Sequence, residues 1–346
     1  MQKIDLRSDT VTEPTFEMRQ AMAAAEVGDD GWEDDPTVKL LESTAARRLG
    51  KDAALFVASG TMGNLVSVLT HCQQGEEIIL GSESHLYYYE YGGVSALGGV
   101  ILRVLTNEKD GTLNLDALES AIRPQSMRFP KTSLICLENT QNRCSGRVLS
   151  PEYTTEVANL AHQKDMTVHL DGARIFNASV ALGIPVSKLT ESVDSVTFCL
   201  SKGLSCPIGS IVCGSQEFIT RARRIRAMLG GGMRQVGIIA AAGLVALETM
   251  VDRLLDDHIN AKKLAAGLSK IKAFRIDSEA VESNIVIFDL LNGDASLLVK
   301  HLAERGLLIS QYGTDRLRMV THRGIGKEDI ETALGTIEQA VRQFPA

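Results

Sequence analysis

Short apolar runs alternate with amphipathic segments along the first two thirds of the chain. The length and composition of these runs are typical of buried strands, and apolar residues recur at helical spacing between them. The segment from Pro151 to Lys164 is one such helix, because Ser150 is a suitable N-cap and proline favours the first helical position. The alternation predicts an α/β fold with a parallel sheet covered by helices on both faces. The predicted strands are Ala53–Ala58, Glu77–Gly81, Val100–Leu105, Leu134–Leu137, Thr167–Asp171, Ser195–Leu200 and Ile208–Cys213.

The pattern changes in the last third of the chain. A long helical stretch from Gln235 to about Leu268 interrupts the alternation, and apolar runs at Asn284–Leu290, Leu307–Ser310 and Leu317–Val320 follow it. A single hydrophobic core stops growing at about 250–300 residues. We therefore predict a large domain formed by residues 1–250, with the N-terminal segment, and a smaller C-terminal α/β domain formed by residues 251–346.

Composition and charge exclude several classes of function. The net charge of -7 comes without a long basic run, so neither nucleic acid nor an anionic membrane is an expected partner. The N-terminal sequence has no apolar stretch of signal-peptide length, and the apolar run from Val236 to Leu247 is too short to span a membrane. We expect a cytoplasmic protein.

The six cysteines are expected to be reduced thiols, because the chain contains no C-x-x-C pair. Cys199, Cys206 and Cys213 are evenly spaced, like the ligands of a metal site. They straddle two predicted strands, however, where small buried cysteines are common. We expect no metal site.

Ligands of open α/β sheets bind at the carboxyl ends of the strands, so the residues that follow each predicted strand are the candidates for chemistry. Ser59, Gly60 and Thr61 follow the first predicted strand and precede a helix, which directs free backbone N–H groups at an anion such as a phosphate. Taken alone, this turn is more often an ordinary capped helix start. The glycine motifs of dinucleotide and P-loop sites are absent from the sequence.

Asp171 and Lys202 each follow a predicted strand. A carboxylate beside Val168 and Leu170 is costly unless it is paired, and a pyridinium nitrogen is a suitable partner; a helix cap is the alternative. Lys202 has small or apolar neighbours, which suit a desolvated amine that carries a bulky adduct, whereas most strand-end lysines are solvated.

His85 follows another predicted strand and opens a run of three tyrosines, which is commonly a packing cluster. The order of the candidates is informative: a phosphate-type turn, a histidine, an aspartate and then a lysine, each after a different strand. Pyridoxal 5'-phosphate needs such a set, since its phosphate, ring nitrogen and aldehyde carbon must all be held at once.

The sequence as a whole resembles the threonine aldolases of the β-eliminating lyase group, from IDLRSDTVTEPT near the N-terminus to LRMVTH near the C-terminus. The motifs that carry the resemblance are Asp5–Thr12, Val27–Pro36, Ser59–Thr61, Leu137–Thr140, Asp171–Asn177, Leu200–Leu204 and Gly230–Gln235. The resemblance implies a pyridoxal-phosphate-dependent transferase-like fold, with a large domain built on a mixed, mostly parallel sheet and a smaller C-terminal α/β domain. It also implies a homotetramer with active sites shared between subunits.

The resemblance also implies roles for individual residues. Lys202 matches the Schiff-base lysine and Asp171 the partner of the ring nitrogen, while Gly60 and Thr61 match the phosphate cradle and His85 the histidine stacked on the cofactor. Ser8, Arg174 and Arg318 are expected to bind the substrate carboxylate, and Arg174 is also expected to contact the cofactor. Tyr89 is expected to contact the substrate, and Arg234 is expected to reach the phosphate of a neighbouring subunit.

The chain departs from the family pattern at three positions. Arg128-Phe129 stands where many relatives have a His-Phe pair whose histidine handles the β-hydroxyl, Ala227 replaces a common basic residue, and Trp32 stands where tyrosine is frequent. Arg128 would pair with an acidic substrate side chain if it faced the pocket.

The activity expected from the resemblance is reversible retro-aldol cleavage of L-threonine or L-allo-threonine to glycine and acetaldehyde, with His85 as the candidate base. Three alternatives stay open. One is an aldolase or transaldolase specialised for another substrate, such as phenylserine or 3-hydroxyaspartate; the others are a sensor that binds the cofactor without catalysis and an unrelated α/β protein.

Overall fold

Strands and helices alternate through residues 3–343, the part of the chain that our computed structural model describes. The strands are β1 (Ile4–Asp5), β2 (Ala53–Val57), β3 (Glu77–Gly81), β4 (Ile101–Leu105), β5 (Thr132–Glu138), β6 (Thr167–Asp171), β7 (Ser195–Cys199), β8 (Ser210–Gly214), β9 (Phe274–Arg275), β10 (Ile285–Leu290), β11 (Leu307–Leu308), β12 (Ser310–Gln311) and β13 (Arg316–Val320). The helices are α1 (Phe16–Ala23), α2 (Pro36–Leu49), α3 (Gly60–His71), α4 (His85–Tyr88), α5 (Gly93–Gly98), α6 (Leu115–Ala121), α7 (Pro151–His162), α8 (Ile175–Leu182), α9 (Val186–Thr190), α10 (Gln216–Met228), α11 (Gly237–Thr249), α12 (Leu254–Leu268), α13 (Ala295–Glu304) and α14 (Lys327–Gln343).

The large sheet has seven strands in the order β2-β8-β7-β6-β5-β3-β4. Neighbouring strands are parallel from β7 through β6, β5 and β3 to β4, whereas β8 is antiparallel to both β7 and β2. Only β8 therefore runs against the others, and the carboxyl ends of β2, β3, β5, β6 and β7 lie at one edge. The expected mixed, mostly parallel sheet is confirmed.

Alternate side chains along the strands pack on opposite faces of this sheet. Phe56 and Ile135 lie in the large core formed with α1, α2, α7 and α11, whereas Leu55 packs with α10 and Leu134 with the region of α5. Helix α3 covers the second face, and Ser59 caps it by accepting a hydrogen bond from Met62 N. Both faces are buried, which explains the nearly continuous apolar runs in the sequence.

A second, four-stranded antiparallel sheet has the order β12-β13-β10-β9. It packs with α12, α13 and α14 around a core of its own, and Ile4 and Leu6 belong to that core. Strand β1 pairs in parallel with β11, with Ile4 opposite Leu307. The N-terminal strand thus packs with the C-terminal unit instead of the large domain, while the boundary near residue 250 stays a prediction.

Local differences from the predicted elements have simple causes. The stretch from Gln235 to Leu268 forms two helices, α11 and α12, that are separated by a short turn, and Leu307–Ser310 divides into β11 and β12. Strands β1 and β9 are two residues long, too short to show a periodicity. The cysteines named above are all free thiols. Within residues 3–343, every helix falls short of the length and apolar character that a membrane span requires.

His258 joins the two packed units and stays uncharged. Its Nε2 lies 3.0 Å from Asn177 Oδ1 across the α12–α8 contact, and burial lowers the pKa of His258 to about 4. The unfolded chain binds a proton here at pH values between about 4 and 6.5 that the folded chain does not bind. The stability contributed by this neutral histidine is therefore lost as the pH falls through that window.

We predict that His258→Gln, which keeps a donor for Asn177, reduces the proton uptake on unfolding by about one at about pH 5.5. The measurement is the slope of the free energy of unfolding against pH, from urea titrations. An unchanged slope would show that the folded protein already binds this proton.

Candidate active site

The sheet edge formed by the carboxyl ends of the strands carries most of the residues that the sequence singled out. Gly60 and Thr61 follow β2, His85 follows β3, Asp171 ends β6 and Lys202 follows β7. They converge because those four strands run in the same direction.

Asp171 is 5% exposed, and hydrogen-bond donors reach both of its carboxylate oxygens. Ala173 N donates to Oδ1 at 3.0 Å, and Asn64 Nδ2 donates to Oδ2 at 2.8 Å. Helix α8 begins later and its N-cap, Arg174, makes no side-chain cap bond. Both carboxylate oxygens are therefore held in place as hydrogen-bond acceptors, and Asp171 does not serve as the cap of α8.

His85 begins the short helix α4 and packs beside Tyr89, with ring centroids 5.2 Å apart. Its Nδ1 lies 2.8 Å from Oε1 of Glu90, a buried carboxylate to which Asn64 Nδ2 also donates. Burial opposes protonation of His85, but the Glu90 hydrogen bond and the charge of Asp171 outweigh it and raise the pKa of His85. Burial likewise raises the pKa of Glu90. With Nδ1 engaged, Nε2 is the ring nitrogen left for a ligand.

Lys202 lies three residues past the end of β7 and is half-buried. Its backbone carbonyl accepts a hydrogen bond from Thr12 Oγ1 at 2.9 Å, which fixes the turn. No hydrogen bond or ion pair engages its Nζ among the described residues. Gly203 permits close packing, since a Cβ there would lie 2.9 Å from Leu254 Cδ2. The amine is thus presented on a fixed turn without a competing partner.

Arg174 is buried against Asp9, a residue that sequence reasoning did not single out although it lies in the Asp5–Thr12 motif. Arg174 Nε and Nη2 each donate to an Asp9 oxygen at 2.7 Å, and Asn284 Nδ2 donates to Asp9 Oδ2 at 3.2 Å. Burial opposes ionisation of Asp9, yet the Arg174 charge prevails and holds the pKa of Asp9 well below its usual range. Because Nε and Nη2 of Arg174 are both held by Asp9, Nη1 is left to bind another anion. Ser8 lies beside this pair and caps the following turn.

Arg318 reaches the site from β13 of the second sheet. Its Nη1 donates to Asn142 Oδ1 at 2.9 Å, its Nη2 donates to the Arg7 carbonyl at 3.2 Å, and the guanidinium lies over the Tyr312 ring. Its Nε is buried with no hydrogen-bond partner among residues 3–343. Arg318 therefore retains a donor for a ligand between the two packed units.

Glu138 is a second residue that the sequence analysis missed. It ends β5, is buried, and accepts hydrogen bonds from His85 N at 2.6 Å and from Asn142 N at 2.9 Å. Burial, helped by the nearby Asp171 charge, raises the pKa of Glu138 to about 7. One carboxyl group thus anchors the backbone of the His85 turn and that of the Asn142 loop.

The first turn of α3 faces the same edge. A Cβ on Gly60 would lie 2.9 Å from Cys199 Sγ, so the close approach of this turn to the end of β7 favours glycine. Thr61 is exposed. The unused N–H groups of this turn form a site for an anion.

Three of the predicted contacts have different surroundings. Tyr89 lies beside His85, and its hydroxyl accepts a hydrogen bond from Arg143 Nη1 at 2.9 Å, so it forms a wall of the site. The Arg234 side chain is 69% exposed, and its Nη1 lies 3.4 Å from Asp29 Oδ1. Arg128 is exposed in the loop before β5, at the opposite edge of the sheet, so the protomer does not bring it to this site.

One group of possible metal ligands occurs within the described residues: His85, Glu90 and Asp171, whose ligand atoms lie within 4.8 Å of one another. N–H donors already point at three of the carboxylate oxygens in this group. The group is therefore better suited to an organic ligand than to a cation.

The fold and the site together define the class of the protein: an α/β enzyme with the pyridoxal-phosphate-dependent transferase-like fold, with a lysine and a buried aspartate at adjacent strand ends. The family model for Beta-eliminating lyase matches residues 5–290. The chain belongs to this family and is a lyase.

Known proteins are similar over nearly the whole chain. Low-specificity L-threonine aldolase 1 of Arabidopsis thaliana is 49% identical over 99% of this chain and 97% of its own length. Low specificity L-threonine aldolase of Escherichia coli K12 is 43% identical over 94% of this chain and 96% of its own length. A solved threonine aldolase from Leishmania major has the same fold, with a TM-score of 0.81 at 17% identity, and the match covers 97% of this chain and 98% of that one.

We predict that Asp9→Asn destabilises the protein by about 3–5 kcal/mol, because it leaves the Arg174 charge buried without its partner. The matched control is Asp5→Asn, which breaks a more exposed ion pair with Arg7 and should cost about 1 kcal/mol or less. Urea unfolding of both variants gives the comparison. Equal, small losses would contradict a structural role for the buried pair.

Proposed function

We propose that this chain is a pyridoxal 5'-phosphate-dependent aldolase that cleaves L-threonine and L-allo-threonine, and related β-hydroxy-α-amino acids, to glycine and an aldehyde, in a reversible reaction. The observation that carries the proposal is the presence of an unengaged Lys202 and a buried, hydrogen-bonded Asp171 at the same sheet edge. The names of the two relatives, both low-specificity L-threonine aldolases, support the choice of reaction.

The residues present fit this cofactor. Asp171 is a buried carboxylate that can hold a protonated ring nitrogen, and the first turn of α3 offers N–H groups to a phosphate. Lys202 supplies the amine that would hold the aldehyde carbon. The buried Glu90 Oε2 has no hydrogen-bond partner among residues 3–343 and remains an acceptor without a donor next to the His85 contact. When bound, the cofactor supplies an electron sink for the negative charge that develops at Cα.

The substrate carboxylate would be bound by Ser8, Arg174 and Arg318. Arg174 is held by Asp9 so that Nη1 is free, and Arg318 contributes its unengaged Nε. Two arginines fixed on different elements would set the rotation of the substrate about Cα, and that rotation decides which bond breaks. Bond selection would thus depend on the fixed Asp9–Arg174 and Asn142–Arg318 contacts.

His85 is our candidate base for the β-hydroxyl. Glu90 holds Nδ1, so Nε2 would face the substrate and take the hydroxyl proton as the aldehyde leaves. The raised pKa of His85 strengthens it as a base once it is neutral. Tyr89 would close the pocket on the side of the departing aldehyde.

We also propose a cytoplasmic homotetramer with shared sites. Arg234 and Trp32 are 69% and 79% exposed, so an arginine and a large aromatic ring are available to a neighbouring subunit. In this arrangement Arg234 would reach the partner's phosphate. The free, mostly buried cysteines suit a reducing compartment.

We predict that the purified protein releases aldehyde from L-threonine or L-allo-threonine and that Lys202→Ala lowers the release to background. Lys188→Ala is the matched control, because Lys188 is exposed and paired with Glu191, and it should keep wild-type activity. The measurement is aldehyde formation with the L- and D-isomers. Turnover that survives in Lys202→Ala, or a silent wild type with cofactor bound, would overturn the proposal.

A preference for an acidic substrate would require Arg128 at the pocket, and its exposed position at the far edge gives that alternative no support within one protomer. We predict that Arg128→Ala leaves the ratio of kcat/KM for L-threonine and 3-hydroxyaspartate unchanged. A fall of about tenfold or more in kcat/KM for 3-hydroxyaspartate, which corresponds to about 1.4 kcal/mol, would instead place Arg128 against the substrate of a neighbouring subunit.

A further inference from the structure

The face of the large sheet that α3 covers is polar at its centre. On β6, Thr167, His169 and Asp171 point to this face, while Val168 and Leu170 point into the large core on the other side. The apolar side chains on the α3 face form two separate clusters, one near β2 and β8 and one near β3 and β5. Polar residues of β6 and β7 lie between them.

These polar residues form a continuous chain of hydrogen bonds between β6 and α3, which we call the polar seam. Its members, in order, are Thr167, His71, Ser195, His169, Asn64 and Asp171. The successive distances are 3.2 Å from Thr167 Oγ1 to His71 Nδ1, 2.7 Å from His71 Nε2 to Ser195 Oγ, 2.8 Å from Ser195 Oγ to His169 Nδ1, 3.2 Å from His169 Nε2 to Asn64 Oδ1, and 2.8 Å from Asn64 Nδ2 to Asp171 Oδ2.

The direction of every hydrogen bond in the polar seam follows from its carboxylate end. Asn64 must present its NH2 group to Asp171, so its Oδ1 accepts from His169 Nε2. Burial lowers the pKa of His169 to about 4, and the ring is therefore neutral, with Nδ1 accepting from the Ser195 hydroxyl. Burial lowers the pKa of His71 as well.

His71 therefore donates from Nε2 to Ser195 and accepts from Thr167. Every donor in the polar seam points towards Asp171. Hydrogen bonds aligned in this way polarise one another and strengthen the last one.

The amide of Asn64 donates hydrogen bonds to two carboxylates of the candidate site at once. Its Nδ2 donates to Asp171 Oδ2 and to Glu90 Oε1, both at 2.8 Å, and Glu90 Oε1 also holds His85 Nδ1. A single NH2 group thus lies between two buried carboxylates, one for the ring nitrogen of the proposed cofactor and one behind the candidate base. Without this donor the two carboxylates would repel each other, and one would take up a proton.

Burying polar side chains between a sheet and a helix is unfavourable unless each one finds a hydrogen-bond partner. Apolar side chains would fill the same interface without that requirement. His169 and Ser195 are fully buried and Asn64 nearly so. We propose that His169 and Asn64 are positioning residues for the proposed reaction: through the polar seam they hold the Asp171 carboxylate in place and fix His85 by way of Glu90. This inference rests on the proposed function for its catalytic part only.

The experiment compares two substitutions of His169 in the holoenzyme. His169→Leu removes the donor to Asn64, whereas a glutamine at this position places an amide NH2 near the former Nε2. We expect His169→Leu to weaken binding of pyridoxal 5'-phosphate and to lower kcat on the order of tenfold or more each, with a smaller change in KM and a shift in the absorbance of the bound cofactor. His169→Gln should recover most of each loss.

The matched control is His162→Leu, since His162 also pairs with an acceptor of the same sheet region, Asp194, but lies half-exposed outside the polar seam. It should bind cofactor and turn over as the wild type does. Circular dichroism and thermal melting establish that each variant is folded.

Nitrogen-15 NMR of histidine-labelled wild-type holoenzyme keeps the inference testable if His169→Leu does not fold. The signal that disappears in His169→Gln should belong to a neutral ring protonated at Nε2 and should not titrate between about pH 5 and pH 8. A ring protonated at Nδ1, or one that titrates in this range, would overturn the proposed direction of the polar seam.

The outcomes separate the two proposals. Weaker cofactor binding in His169→Leu, in a protein that cleaves no β-hydroxy amino acid, would refute the proposed function and keep the polar seam. Wild-type cofactor affinity, absorbance and kcat in a folded His169→Leu would refute the polar seam and keep the proposed function.

Discussion

The constraint on which this structure depends is the burial of a carboxyl group, that of Asp171, at the end of a central strand. Removing such a group from water is costly unless donors replace the solvent. The backbone of Ala173 and the amide of Asn64 provide those donors. The second N–H of the Asn64 amide needs an acceptor, which Glu90 supplies, and the amide oxygen needs a donor, which His169 supplies. One buried carboxyl group thus determines the polar composition of a whole strip of the sheet.

A buried ion pair, that of Arg174 with Asp9, ties three parts of the chain together. Asp9 comes from the N-terminal segment, Arg174 from the turn after β6, and Asn284 from the residue before β10. The N-terminal segment therefore lies between the two packed units and contacts both. Since the guanidinium of Arg174 is held on two of its nitrogens, its remaining donor has a fixed direction, as a binding site for a carboxylate requires.

The sequence was sufficient to predict the large sheet, because buried strands and amphipathic helices leave strong periodic patterns. Strand β6 was predicted with the bounds that the structure shows. The strand-end positions of His85, Asp171 and Lys202 follow from the same reasoning. The partners of these residues could not be found in this way, since Asn64 lies 107 positions from Asp171 and Asp9 lies 165 positions from Arg174.

The short strands were missed for a different reason. Strands β1 and β9 have two residues each, and their pairing depends on tertiary packing instead of a local pattern. For the same reason Ile4 and Leu6 were assigned to the large domain, although they complete the second core. Arg128 was considered for the pocket because of the residue it replaces in the family, and only the direction of β5 shows that its loop lies at the far edge of the sheet.

The pairing of β1 with β11 has a consequence for the order in which the protein folds. Ile4 lies opposite Leu307, so the segment that contains β1 has no partner until β11 has been synthesised. The large sheet is complete once β8 has been made, well before that partner exists. Vectorial synthesis therefore leaves the apolar side chains of the N-terminal strand without their final core until late, and the Asp9–Arg174–Asn284 contact can close only after β10 has followed. Docking of the N-terminal segment belongs among the last steps of folding, and Arg174 acquires its fixed geometry against Asp9 only then.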